Sequence, residues 1–354
     1  MRQKTNSTVT VDLGVLKENI STLRSFLNKG TKIMAVVKAN AYGHGAVKVA
    51  EAISLMVDAF AVNDIQEGIE LRESAINKAI LIFGVPEESF AGMYKKYDLT
   101  ATVSSEKHFT ILPAGTSYHL NFDTGMGRLG FYPDDAEKVA RLAAEHEELS
   151  CTGIYSHFAS AHKPESDSVQ KQYELFQEIR KHFPPKLTTH ICNTGGTVFH
   201  KLKQFDMVRL GIGMYGYSPG EAKIEGLKPV LKWGSRLVQV KRVKKGKAVS
   251  YGSIWKAPSD GYVGMIPVGY YDGLRRNLSG QFSVRIGTKS YKVVGIITMN
   301  FCMVYLGDDY YEPGTEAELI YPENDAEDWA EKIRTISYEI LTGIDRSIPR
   351  EYIS

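Results

Sequence analysis

Ile33-Met-Ala-Val-Val-Lys38-Ala-Asn-Ala-Tyr42-Gly-His44-Gly45 is the stretch on which the reading of this chain turns. Its apolar run, rich in β-branched residues, reads as a strand buried on both faces. A lysine ending such a strand sits at the C-terminal mouth of a barrel, where active sites are built. It either snorkels to solvent, or loses proton affinity by desolvation and becomes a Schiff-base former. Glycines on either side of His44 allow close backbone approach to a phosphate. Lysine plus a phosphate site suggests pyridoxal phosphate.

Outward from this stretch, the chain opens with a strand at 8–11 and a helix begun by Asp12. Leu13, Leu16, Ile20, Leu23 and Leu27 keep helical spacing up to Gly30. Strand-like runs recur at 33–37, 59–62, 79–83, 99–103, 118–122, 151–155, 188–192 and 207–212. Amphipathic stretches lie between them, for example 46–57, 64–75, 134–145 and 168–183. Eight strands with interposed helices over about 180 residues are what an α/β fold of the (β/α)8, TIM-barrel type requires, since each parallel strand needs a crossover helix. An open doubly wound sheet is the competing arrangement.

After Tyr217-Ser-Pro-Gly220 the helical period disappears. Short alternating runs at 237–243, 262–268, 282–286, 291–297, 302–306 and 316–320 are punctuated by glycine turns. They predict a C-terminal, mostly-β domain closed by a helix at 326–334. The expected organisation is an N-terminal strand (1–12) packing with the C-terminal domain, a barrel (13–225) and the β domain (226–354).

Hydrophobic residues at 43% and charged residues at 24% exclude disorder as the organising principle. Lys plus Arg (43) nearly cancels Asp plus Glu (41), so no electrostatic footprint for nucleic acid or an anionic membrane stands out. No apolar run approaches a membrane span, and the N-terminus lacks a secretory apolar core. Three dispersed cysteines (Cys151, Cys192, Cys302) fit a reducing compartment. The expectation is a cytoplasmic enzyme, or the cytoplasmic domain of a longer membrane protein, without nucleic-acid partner.

Two G-x-G-x-x-G strings are present, Gly125–Gly130 and Gly211–Gly216. Neither opens the first βα unit, and the second runs into Ser218-Pro219-Gly220, so a dinucleotide fingerprint is not indicated. The second follows the eighth strand, where barrels commonly bind phosphate through backbone N–H groups. No Walker loop exists. His157 and His162 are five apart and lack zinc-helix spacing, so no metal is expected.

The Lys38 segment resembles the cofactor-lysine motif of bacterial alanine racemases, and the likeness continues along nearly the whole chain. It includes Asp123-Thr-Gly-Met-Gly-Arg128-Leu-Gly, Gly153-Ile-Tyr-Ser-His157-Phe, Asn193-Thr194 and Val208-Arg209-Leu-Gly211-Ile212. Further on it includes Val249-Ser-Tyr251-Gly, Ile266-Pro-Val-Gly-Tyr270-Tyr-Asp-Gly, Thr298-Met299-Asn300-Phe-Cys and Ser337-Tyr338-Glu.

The resemblance implies a homodimer with shared active sites and pyridoxal 5′-phosphate as cofactor. Lys38 carries the cofactor and serves as one catalytic base; Tyr251 of the partner subunit is the other. Racemisation removes a proton from one face of a planar carbon and returns one to the other, which suits two bases. Tyrosine, with an ordinary pKa near ~10, is a poor base at neutral pH. In this family His157, oriented by Arg209, supports it. Arg209 also faces the pyridine nitrogen and leaves it unprotonated, which weakens the electron sink and limits side reactions. Tyr42, Asn193, Thr194, Gly211, Ile212 and Tyr338 join the cofactor site, the phosphate falling to Tyr42, Thr194, Tyr338 and the Gly211 and Ile212 backbone. Arg128, Tyr270, Met299 and Asn300 are expected to face substrate, with Tyr270 lining the access channel.

Departures from the family pattern lie near the site. Asn121 replaces a lysine that is carbamylated in many members. Asn300 replaces an aspartate, Ile296 an arginine and His162 an aspartate. The expected function is interconversion of L- and D-alanine, supplying D-alanine for peptidoglycan. A serine racemase of the vancomycin-resistance type is the nearest alternative; Tyr338, where serine-active members tend to carry asparagine, speaks against it. A basic amino-acid decarboxylase of the same fold would need a carboxylate where this chain has Arg209. A single-barrel cofactor carrier would lack the β domain.

Overall fold

The computed structural model describes residues 6–354. They form a barrel unit (Leu16–Ala41 and Ala46–Lys228) and a β unit (residues 6–15, Tyr42–Gly45 and Pro229–Ser354). The first strand, β1 (Ser7–Asp12), belongs to the β unit. Asp12 caps the helix Leu13–Arg24 as its position predicts, its carboxylate accepting the Val15 N–H at 2.9 Å.

The barrel unit holds β2 (Lys32–Val36), β3 (Ala59–Val62), β4 (Ala79–Ile82), β5 (Ala101–Val103), β6 (Ser117–Asn121), β7 (Ser150–Tyr155), β8 (Thr188–His190) and β9 (Met207–Leu210). They pair in parallel as β4-β3-β2-β9 and β5-β6-β7-β8. Two junctions join these runs. Thr100 exchanges bonds of 2.9 Å with Ile80 and Ile82; Asp206 N–H donates to Thr189 O at 3.0 Å and Arg209 N–H to Cys192 O at 2.8 Å. The ring is closed: an eight-stranded parallel barrel. Its helices bury one stripe each, as Asp167–Arg180 does with Val169, Gln172, Tyr173, Phe176 and Ile179. Closure places the C-terminal strand ends around one mouth, which is where the site residues of this unit collect.

The β unit adds β10 (Leu231–Arg236), β11 (Gln239–Val243), β12 (Ala248–Val249), β13 (Trp255–Lys256), β14 (Gly261–Ile266), β15 (Ser283–Ile286), β16 (Lys289–Val294), β17 (Cys302–Gly307), β18 (Glu316–Ile320) and β19 (Arg350–Ile353). Nine strands make one sheet in the order β11-β14-β17-β16-β15-β18-β10-β1-β19, and β12-β13 is a separate hairpin. Trp233 anchors β1 in this sheet. Its indole packs 6.1 Å from Trp329, which packs 4.7 Å from Phe282, and its Nε1–H donates to Ser7 Oγ at 2.6 Å. Beyond the expected helix, found at Ala326–Ile333, the chain forms a second helix, Ser337–Gly343, and then β19. Neither left a clear period in the sequence; β19 is an edge strand without a fully buried residue.

Candidate active site

Lys38 follows β2 at the barrel mouth, its Nζ 6.0 Å from the centroid of Phe83, which follows β4. Burial lowers its pKa, the Arg128 charge lowers it further, and Glu67 opposes both. The residues after it form a left-handed turn. Ala39, Asn40, Ala41 and Tyr42 have φ of 53°, 55°, 52° and 53°, close to ideal left-handed helix. Such a run costs about 1–2 kcal/mol per non-glycine residue, so its surroundings must over-determine it. They do. Glu67, buried on the helix Ile65–Glu73, accepts the Asn40 N–H at 3.3 Å through Oε1 and the Asn63 N–H at 2.9 Å through Oε2. The Asn40 side chain accepts the Ala46 N–H at 2.9 Å.

Arg209, on β9, is fully enclosed. Nη1 donates to His190 Nδ1 at 2.7 Å and His190 O at 3.2 Å. Nη2 donates to Ser156 O at 2.8 Å, Ile191 O at 3.0 Å and His157 Nδ1 at 3.2 Å. The guanidinium always donates, so both imidazoles accept through Nδ1 and carry their proton on Nε2. His190 Nε2–H then donates to His119 Nδ1 at 2.9 Å. Tyr155 stacks on His190 with centroids 5.0 Å apart, and its hydroxyl meets Thr102 Oγ1 at 3.0 Å. No carboxylate is among the partners of Arg209. Burial lowers its pKa to about 10, still far above neutrality. Both terminal nitrogens of the guanidinium are thus engaged within the protein, while the Nε2–H of His157 is left to face a further group.

The same burial, with Arg209 as the second cause, holds His157 and His190 well below the ordinary histidine pKa and His119 at about 4. The sign of the pH effect follows. Above about pH 6.5 these histidines are neutral in both folded and unfolded chains; below it the unfolded chain takes up protons that the fold refuses. Stability should fall as pH drops from about 6.5 toward 4, by up to about 1.4 kcal/mol per pH unit for each histidine. An equal urea-unfolding midpoint at pH 7.5 and pH 5 would mean that they titrate freely in the fold.

The phosphate candidates of this unit also meet. Gly211 N–H donates to Thr194 Oγ1 at 3.2 Å, and Ile212 opens a 3₁₀ turn whose first N–H groups have no partner within the turn. Asn193 is a capping residue: its side chain accepts the Gly196 N–H at 2.9 Å. The Gly125–Gly130 string wraps a carboxylate of the chain itself. Asp123 accepts N–H bonds from Gly125, Met126, Gly127 and Arg128 at 2.8–3.1 Å. Burial works to raise its pKa, but the four donors outweigh it and hold it below the usual range. Gly130 is required here, because φ is +127° and a Cβ would lie 2.6 Å from Asn121 Oδ1. His162 lies against Gly220 and shares no bond with this cluster.

In the β unit, the Tyr42 and Tyr338 rings are 5.8 Å apart, and burial raises the pKa of both hydroxyls, keeping them protonated donors. The loop after Tyr42 is fastened by β19: Arg350 Nε donates to Gly43 O at 3.0 Å and the Tyr352 hydroxyl to His44 O at 3.2 Å. Gly43 has φ +86°, and a Cβ there would meet Leu341 O at 2.4 Å. Tyr251 stands on the turn of the β12-β13 hairpin with 70% of its surface exposed. Ser250 ties that turn to Ile296 O at 2.6 Å. Tyr270 and Met299 come together through bonds of 3.0 Å from Tyr270 N–H to Thr298 O and Tyr271 N–H to Met299 O; Met299 and Asn300 are exposed.

Family models described as "Alanine racemase, N-terminal domain" and "Alanine racemase, C-terminal domain" match residues 11–219 and 230–352. The chain belongs to the alanine racemase family. The alanine racemase of Streptococcus pneumoniae R6 is 36% identical over 357 residues, covering 97% of this chain and 96% of the relative. The solved alanine racemase of Clostridium difficile 630 superposes with a TM-score of 0.94 at 29% identity, covering 99% and 97% of the two chains. That of E. faecalis gives 0.93 at 32%, covering 98% of each.

Alanine racemases use pyridoxal 5′-phosphate, and the donors of the barrel unit fit it. A desolvated amine suits its aldehyde, the Arg209 guanidinium its ring nitrogen, and the Ile212 N–H, next to a Gly211 N–H held by Thr194 Oγ1, its phosphate. Three polar residues of this racemase escaped the sequence reading: Glu67, His119 and His190. The alternation His119-Leu-Asn121 on β6 was a signal for His119, since it shares a barrel-facing period with Asn121. Glu67 and His190 carried none.

Proposed function

We propose that this racemase interconverts L- and D-alanine as a homodimer, with pyridoxal 5′-phosphate held by Lys38, Tyr42, Thr194, Arg209, Gly211, Ile212 and Tyr338. When bound, the cofactor withdraws electrons from the substrate Cα and makes its proton removable. Lys38 moves a proton at Cα on one face, and Tyr251 of the partner subunit moves one on the other. From L-alanine, the tyrosine oxygen takes the proton and the lysine amine returns one; the reverse reaction exchanges the roles. Arg209 donates to the ring nitrogen without giving its proton away, because five acceptors already solvate its charge. His157 is neutral and presents Nε2–H to the catalytic tyrosine, while Arg128 offers the substrate carboxylate a cation.

The observation that carries this reading is the buried Arg209 guanidinium, bonded to imidazoles and carbonyls and to no carboxylate, in the same barrel unit as a desolvated lysine. A decarboxylase, which deepens the electron sink with a carboxylate at that place, is not supported by it. The shared site is supported by the exposure of Tyr251, together with Ile254, Tyr271, Met299 and Phe301 on the β unit, an apolar surface suited to a subunit contact. A cytoplasmic role in providing D-alanine for peptidoglycan follows from the activity. Among the described residues no helix is long and apolar enough to cross a membrane.

Chiral product analysis with L-alanine, L-serine and L-lysine tests the assignment. D-alanine as the dominant product supports it. Faster turnover of serine would shift the reading to a serine racemase, as the uncharged Ile296 and Asn300 would then suggest. Release of carbon dioxide from lysine would overturn it.

A further inference from the structure

We propose that Glu67 is a positioning residue for Lys38, holding the left-handed turn that aims the lysine and setting a negative charge against its amine. The proposal rests on Lys38 being the cofactor lysine. Four consecutive non-glycine residues with positive φ do not persist on local preference. Glu67 is buried, and each carboxylate oxygen is engaged by a backbone N–H: Oε1 by Asn40, inside the turn, and Oε2 by Asn63, just past β3. The carboxylate thus ties the segment after β2 to the segment after β3. Asn40, held from the backbone side by Glu67, also uses its side chain to accept the Ala46 N–H of the next helix. The turn is therefore fastened from both sides at a single residue.

The charges facing Lys38 are Arg128 and Glu67, with the neutral His157 also within electrostatic reach. Arg128 pushes the amine toward its neutral form and Glu67 toward its charged form. A carboxylate here does two things that a neutral side chain cannot do together. It accepts two N–H bonds, and it keeps the lysine from losing too much basicity to serve as a proton carrier.

The test uses the full-length chain carrying Glu67→Gln or Glu67→Asp. Lys38 reactivity is read without cofactor, as the rate of acetic anhydride labelling at pH 7 in the Lys38 peptide by mass spectrometry. kcat and KM for L-alanine are then read across pH with pyridoxal 5′-phosphate loaded. Glu67→Gln removes the charge, so Lys38 should label at least about threefold faster and the acid limb of kcat should move to lower pH, with KM little changed. Glu67→Asp keeps the charge but is too short to span both N–H groups; labelling should stay within about twofold of wild type while kcat falls about tenfold or more through misplacement of the lysine. A purely structural role would change both variants alike, in stability and cofactor retention, without moving the labelling rate. Unchanged labelling in Glu67→Gln, in chains that keep the wild-type circular dichroism spectrum, would overturn the proposal. Because labelling needs neither cofactor nor racemisation, that failure is distinct from a failure of the proposed activity.

Discussion

Lys38→Ala should leave a folded chain whose racemisation of alanine, in either direction, has fallen by at least about 10⁴-fold. In the proposed mechanism Lys38 is both the amine that would attach the cofactor and one of two groups that move the α-proton, so no neighbour can replace it. Glu67, the nearby carboxylate, has both oxygens engaged by backbone N–H groups. The visible absorbance of a lysine-bound cofactor should vanish in the same variant. Thermal stability should change little, since the amine is desolvated beside the like charge of Arg128 in the wild type. A variant that keeps both the absorbance and normal turnover would remove Lys38 from the mechanism.

Tyr251→Phe should be nearly as severe, and its defect should have a direction. Only the base on the L-face is lost, so the α-deuterium effect should rise more for L-alanine than for D-alanine. Its decisive form is a mixing experiment. An isologous dimer with shared sites contains two equivalent centres, each drawing Lys38 from one chain and Tyr251 from the other. When inactive Lys38→Ala and Tyr251→Phe chains exchange freely, half of the dimers are mixed. In each of these one centre inherits both defects and the other neither, so about a quarter of wild-type activity per centre should return. Verified exchange without any return of activity would place both bases in one chain.

The eight barrel strands were legible because each is a short apolar run between polar punctuation; the expected 59–62 coincides with Ala59–Val62. Ends were less legible. Residues 99 and 100 extend the fourth of these runs in sequence, but in the fold Thr100 serves the junction with β4, and the strand proper begins at Ala101. Leu237 reads as strand, yet its N–H bonds Thr315 O in a connection, and β11 starts at Gln239. At the site, Lys38 stood out because a charged residue just after an apolar strand is rare and needs a reason, whereas Arg209 was reached through the family resemblance. Apart from His157, the partners that give Arg209 its setting did not stand out. His119 meets His190 across 71 residues and Glu67 meets Asn40 across 27, distances over which no local pattern runs. The left-handed turn was invisible for a different cause. Ala-Asn-Ala-Tyr contains no glycine, so nothing in its composition announces positive φ.

The fastening of Gly43 and His44 by Arg350 and Tyr352 has a consequence for biosynthesis. The two bonds span 307 and 308 residues, and β1 pairs with β10 and with β19 in the same part of the sheet. A chain leaving the ribosome from its N-terminus can close the ring of residues 16–228 while these partners are still untranslated. The first strand waits for Leu231–Arg236, and the loop beyond Lys38 waits for residue 350. Lysine and loop are thus made within ten residues of each other yet mature at opposite ends of synthesis. A nascent chain arrested before residue 350 should hold a finished barrel and an unfastened loop, so competence to grip a ligand is among the last properties this polypeptide acquires.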